Sequence, residues 1–122
     1  MAESMTGNPG DMSGTPGDTS RNPGDVTDNA GKMRYEIREG GEVAGFVSYA
    51  REGKVIIFLH TETDSRFRGL GLAGRLVRAS LDDARRRGLQ VLPYCPFMRS
   101  WMAEHPEYTD LVPEQQRAEF GL

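Results

Sequence analysis

The sequence predicts an α/β fold of the α+β kind: an antiparallel meander continued by one parallel strand, with a crossover helix and a following helix. Three observations predict it. Apolar residues alternate with polar ones in short segments before residue 64, a stretch of helical period fills residues 71–87, and a short apolar run resumes at Leu89. A length of 122 residues suits a single domain.

Taken in order, Met33, Tyr35 and Ile37 alternate with Arg34, Glu36 and Arg38, which predicts a first strand ending at Gly40-Gly41. Glu42 to Tyr49 reads as a second strand, and Arg51-Glu52-Gly53 as a turn into a third, Lys54 to Thr63. That third strand opens on Val55 to Leu59, apolar on both faces, as an interior strand requires. From Gly71 to Arg87, Leu72, Leu76, Val77, Ser80, Leu81 and Ala84 line one face of an amphipathic helix stopped by Gly88. Leu89 to Leu92 is then a parallel strand, reached by a crossover. Pro96 opens a second helix through Phe97, Trp101 and Met102, and Pro106 ends it.

Residues 1–31 contain no Leu, Ile, Phe, Tyr or Trp, and repeat Pro-Gly-Asp at residues 9–11, 16–18 and 23–25. Such a segment buries too little surface to offset the cost of ordering it, which predicts a disordered acidic tail over 1–31 and a folded domain over 32–122. The tail carries five acids and one Arg, and the remainder 14 bases and 13 acids. A near-neutral body gives no electrostatic case for nucleic acid, and the longest apolar run, five residues, gives none for a membrane span. One cysteine and two histidines argue against a disulfide framework or a zinc site. A reducing, cytoplasmic setting and no metal are expected, since residues 1–31 also lack the basic and apolar regions of a secretory signal.

The most informative stretch is Arg66 to Gly74, between the third strand and the amphipathic helix. A helix N-terminus leaves backbone N–H groups unpaired with partial positive charge, and glycines let an anion approach them. Two readings compete. Gly69-x-Gly71-x-x-Gly74 matches a dinucleotide fingerprint, while Arg68-x-x-Gly71-x-Ala73 matches the pyrophosphate loop of acyl-CoA-dependent acyltransferases. A dinucleotide domain needs an acid near the end of the next strand, and residues 89–99 contain none.

With Phe58 to Thr63, Phe67 to Ala73 and Pro93 to Phe97 in place, the chain resembles the small, single-domain branch of the GNAT acetyltransferase superfamily over residues 33–112. The resemblance implies acetyl-CoA as co-substrate and an amine as acceptor, a small molecule or a protein. It implies that the amides of Gly69, Leu70, Gly71, Leu72 and Ala73, with Arg68, hold the pyrophosphate. It also implies that the edge running from His60 through Thr61 and Thr63 pairs with pantetheine as another strand would.

An amine attacking a thioester needs proton removal, oxyanion stabilisation and protonation of the departing thiolate. His60 and Glu62, two apart on a strand, share a face, and either could be the base; the alternative is a sheet histidine and a solvated strand end. Cys95, between Pro93 and Pro96 beyond the parallel strand, is a candidate nucleophile whose thiol His60 could activate, or else a small buried apolar side chain. Larger relatives supply a Tyr from the last helix; Trp101 stands there in this chain, leaving Tyr94 and Tyr108. Trp101 reads as core, Arg85, Arg86 and Arg87 as solvated charges opposing the helix dipole, and His105-Pro106-Glu107-Tyr108 as a helix stop with a packing Tyr. The expected activity is acetyl-CoA-dependent N-acetyl transfer to a primary amine. A CoA-binding module without turnover, or an interaction protein using the acidic tail, are the alternatives.

Overall fold

The computed structural model describes residues 25–122. Its strands are β1 (Val26–Asn29), β2 (Arg34–Glu39), β3 (Glu42–Glu52), β4 (Val55–Thr63) and β5 (Gln90–Pro93), and its α-helices are α1 (Leu72–Arg86) and α2 (Pro96–Ala103). The described strands form one sheet in sequence order, antiparallel from β1 to β4 and parallel between β4 and β5. Both helices pack on one face of it. Tyr35, Ile37, Val47, Tyr49, Ile56, Phe58 and Val91 point from the strands into a single core that Leu72, Leu76, Val77 and Leu81 of α1 and Met98 and Met102 of α2 complete.

The apolar spacing of α1 is what seats it: the predicted face is buried throughout, and the buried Ser80 donates its hydroxyl hydrogen to Leu76 O at 2.7 Å, so its polar atom costs nothing. Gly88, at φ +69°, turns the chain out of the helix in the left-handed region. After α2 the chain continues in 3-10 turns, of which Pro106–Leu111 puts Tyr108 and Leu111 into the core. Among the described residues no helix is long and apolar enough to cross a membrane.

The start of the domain differs from expectation. Residues 26–29, expected in the disordered tail, form β1, with Val26 buried against Ile37's register position and Asp28 accepting the Tyr49 hydroxyl at 2.6 Å. Four residues, only one of them apolar, carry no period that a sequence pattern could detect; the strand exists because the edge of β2, the Tyr49 hydroxyl and Arg87 supply its partners. The first two Pro-Gly-Asp units and Pro23-Gly24 lie outside the described residues. Asp25, the last residue of the third unit, pairs with Arg75.

The three arginines at the end of α1 are about half exposed, as expected of solvated charges, and each also has an acidic partner. Arg87 bridges Asp28 at 3.2 Å and Asp83 at 3.0 Å, Arg86 pairs with Asp83, and Arg85 takes both oxygens of Asp110 and the carbonyl of Glu107. They tie β1 and the Pro106–Leu111 turn to the helix.

Candidate active site

The site begins where two strands part. Pairing between β4 and β5 stops at Phe58 opposite Pro93, and the last bond across the gap runs from Cys95 N to Phe58 O at 2.9 Å. Beyond it, β4 from His60 to Thr63 is paired on its β3 side and has no strand on the other among the described residues.

At the same point β4 changes which way its side chains face. Tyr49 pairs with Phe58 but Ser48 pairs with His60, so Leu59 is an extra residue in the ladder, a β-bulge. Strict alternation would continue Ile56 and Phe58 into His60 and Glu62 on the helix face. The bulge reverses this: Thr61 pairs with the buried Val47 on the helix face, and His60 and Glu62 stand on the opposite one. The two do share a face, as expected, and His60 Nε2 meets Glu62 Oε2 at 3.1 Å with both side chains more than half exposed. Cys95, 1% exposed, does not have His60 as its partner; its Sγ lies 3.0 Å from Thr61 Oγ1.

On the face of His60, Phe46 pairs across the ladder with Glu62, and its ring meets the His60 ring edge-on at 6.5 Å. Arg34 lies over Phe46 with its guanidinium carbon 4.4 Å from the ring centre. It is held there by Glu36, a buried carboxylate that accepts from Arg34 Nε at 2.8 Å and from Asn29 at 3.1 Å. Burial alone would raise the Glu36 pKa; the bonds from Arg34 and Asn29 and the charges of Arg34 and Arg38 outweigh it and hold the group below its ordinary value. Arg34, Val43, Phe46, Glu62 and Asp64 line a cavity of about 250 Å³ on this side. Gly45 is obligatory at its edge, because a Cβ there would sit 2.8 Å from Glu62 O.

A second cavity of about 250 Å³ lies beyond Thr63 and Asp64, over the start of α1. Of the expected ligand-binding residues, Thr63, Arg68, Gly69, Gly71, Leu72 and Ala73 line it; Leu70 points outward, half exposed, and Thr61 is on Cys95. Gly69 at φ +86° and Gly71 at φ +68° hold the left-handed turn, and nothing lies within 4 Å of where either Cβ would be. The first turn of α1 holds no acidic residue to offset its partial positive charge. Gly74, the third glycine of the dinucleotide pattern, is inside the helix against Trp101 and does not line this cavity, so the shorter acyltransferase pattern describes the loop. Sequence reasoning missed Asp64, which caps the turn after β4 and is locked to Arg66, itself joined to Glu42 at 2.9 Å. It also missed Arg34 and Phe46, which carry no motif.

The other candidates fall into place around this. Trp101 stacks on His105 at 3.7 Å and sits under Arg78, packing α2 on α1 as core. The Tyr108 hydroxyl is committed to Asp82 at 2.7 Å, and burial with that bond raises its pKa. Tyr94 is half exposed, with its ring edge-on to Phe120 and its hydroxyl without a partner among the described residues. Among those residues no three His, Cys, Asp or Glu side chains gather as a metal set.

Parallel strands that part, one of them bulged at that point, and a glycine turn opening a helix make up an acyltransferase fold. The chain matches the GCN5-related N-acetyltransferases over residues 34–111 and belongs to that family. Its fold is similar to the NMR solution structure of a GCN5-like candidate N-acetyltransferase from Staphylococcus aureus, at 18% identity and a TM-score of 0.56, covering 72% of this chain and 86% of that one.

Proposed function

We propose that the protein transfers an acetyl group from acetyl-CoA to a primary amine. The observation that carries this reading is the open cradle over Gly69 and Gly71 at an uncompensated helix N-terminus, next to a strand edge left free by the parting of β4 and β5. Backbone amides of Gly69 to Ala73 suit a pyrophosphate, and Arg68, exposed on the same cavity, adds a positive charge. The edge from His60 to Thr63 suits the amides of a pantetheine arm. When bound, acetyl-CoA supplies the activated acyl carbon.

The residues of the chain then have to move protons and hold the acceptor. The His60–Glu62 pair takes the proton of the attacking amine, with Glu62 orienting the imidazole through its bond to Nε2. Transfer is direct. Cys95 is buried beneath Thr61, which favours a wall of the acyl site over a nucleophile, and a positioned amine needs no covalent relay. Tyr94 is the remaining phenol with a free hydroxyl, and we assign it the return of a proton to the departing thiolate.

Calorimetric titration of the protein with CoA and acetyl-CoA, followed by mass-spectrometric search for acetylated amines, tests this. Binding of both with product formation is the expected result. Binding without product from any amine in a broad panel would leave a CoA-binding module, and absence of binding would refute the reading altogether.

A further inference from the structure

The cavity on the His60 face has a chemistry of its own. Its two ends carry opposite charge on either side of one ring: Arg34 lies over Phe46, and Glu62 is the cross-strand partner of Phe46. Arg34 spends only Nε on Glu36, and its two terminal nitrogens make no bond among the described residues. Glu62 has Oε2 on His60, and its Oε1 has no side-chain partner among the described residues. The other carboxylate on the wall, Asp64, is neutralised by Arg66. A polycation would meet the Arg34 guanidinium at one end, and a dianion would meet Glu62 at the other.

We propose that this cavity takes a small amino-acid-like zwitterion, its carboxylate on the terminal nitrogens of Arg34 and its ammonium on Glu62, and that this is the acyl acceptor. The last clause rests on the acetyltransferase reading; the binding site does not. A planar guanidinium held by a buried carboxylate partner is suited to a ligand carboxylate. The Phe46 ring and Val43 offer an apolar surface for a modest side chain, and a volume of about 250 Å³ suits a small molecule. The ammonium end coincides with the His60–Glu62 pair, so the group that must lose a proton is held beside the pair assigned to take it.

The test is a titration of the full-length protein, followed by backbone amide NMR, with L-leucine, L-leucinamide, isopentylamine and N-acetyl-L-leucine. L-Leucine should shift amides of residues 43–46 and 62–64 and bind about tenfold or more tighter than the three analogues that lack one charge. Arg34→Gln should bring L-leucine down to the level of L-leucinamide, Arg34→Lys should recover part of the loss, and Glu62→Gln should bring it to the level of N-acetyl-L-leucine. Should Arg34→Gln fail to fold, the wild-type series and Arg34→Lys still decide. Isopentylamine binding as tightly as L-leucine, or no shift with L-leucine, would overturn the proposal. CoA added to the same sample reports on residues 69–73 separately, so a failed zwitterion with intact CoA binding refutes this inference alone, and failed CoA binding refutes the transferase reading.

Discussion

Thr61 and Cys95 face each other across the point where β4 and β5 part, with Oγ1 and Sγ 3.0 Å apart and the thiol buried. Among the described residues the contact is the one side-chain hydrogen bond that spans the opening, and it puts a hydroxyl where an imidazole was expected. The thiol stands at the N-cap of α2 but is buried, and it is the burial that argues against an activated cysteine.

Cys95→Ala should therefore keep turnover within about tenfold of wild type while costing about 1–2 kcal/mol of stability for the lost buried sulfur. Intact-mass analysis after incubation with acetyl-CoA alone should show no adduct at Cys95. An acetylated Cys95 together with an inactive Cys95→Ala protein would establish the covalent route instead.

Arg68 and Gly71 separate binding from folding. Arg68 is exposed on the cradle with no side-chain partner among the described residues, so Arg68→Ala should leave the melting temperature unchanged and weaken CoA about tenfold. Gly71 needs its positive φ; Gly71→Asn tolerates that backbone better than a β-branched residue and places a side chain in the cradle. Loss of CoA affinity in a protein that still melts cooperatively is the expected outcome. Full CoA affinity in both variants would move the pyrophosphate elsewhere.

How far the sequence reached can be seen in β4. The apolar run Val55 to Leu59 announced an interior strand, and the Gly69 to Ala73 loop announced a glycine turn opening a helix, because both depend on residues adjacent in the chain. The bulge at Leu59 did not, because an extra residue in a ladder is a property of the pairing with β3, and it alone decides that Thr61 and not His60 faces Cys95. Arg34 and Phe46 were invisible for the same reason. They belong to neighbouring strands, and only the register that sets Phe46 opposite Glu62 makes them parts of one wall. β1 was lost differently: its Asp28 and Val26 mean nothing until Tyr49, Arg87 and Ile37 are brought to them.

β1 can be tested by two truncations. A protein starting at residue 32 loses Val26 from the core, the strand edge on β2, and the Asp28 bonds to Tyr49 and Arg87; one starting at residue 25 keeps them. Burying one valine alone contributes about 1.5–2 kcal/mol, so the shorter protein should melt about 10 °C or more below the longer one. Equal melting temperatures would show that β1 adds nothing to the domain.

The phenols that β1 and α1 enclose should govern stability in alkali. Burial, then the bond to Asp28 and its charge, push the Tyr49 hydroxyl up to about 12; burial and the bond to Asp83 raise Tyr35 as well. Both groups are raised in the folded protein above their unfolded value of about 10, so their contribution is complete below about pH 10 and disappears as pH climbs through the folded values. Wild-type stability in urea should accordingly fall between about pH 10 and pH 12. Tyr49→Phe lacks the hydroxyl and the bond to Asp28, and should start about 1 kcal/mol lower near neutrality but lose less over that window. The two curves should therefore converge as pH rises. Curves that stay parallel from pH 8 to pH 12 would mean that Tyr49 titrates alike in the folded and unfolded chains, and that its bond to Asp28 does not hold the phenol neutral.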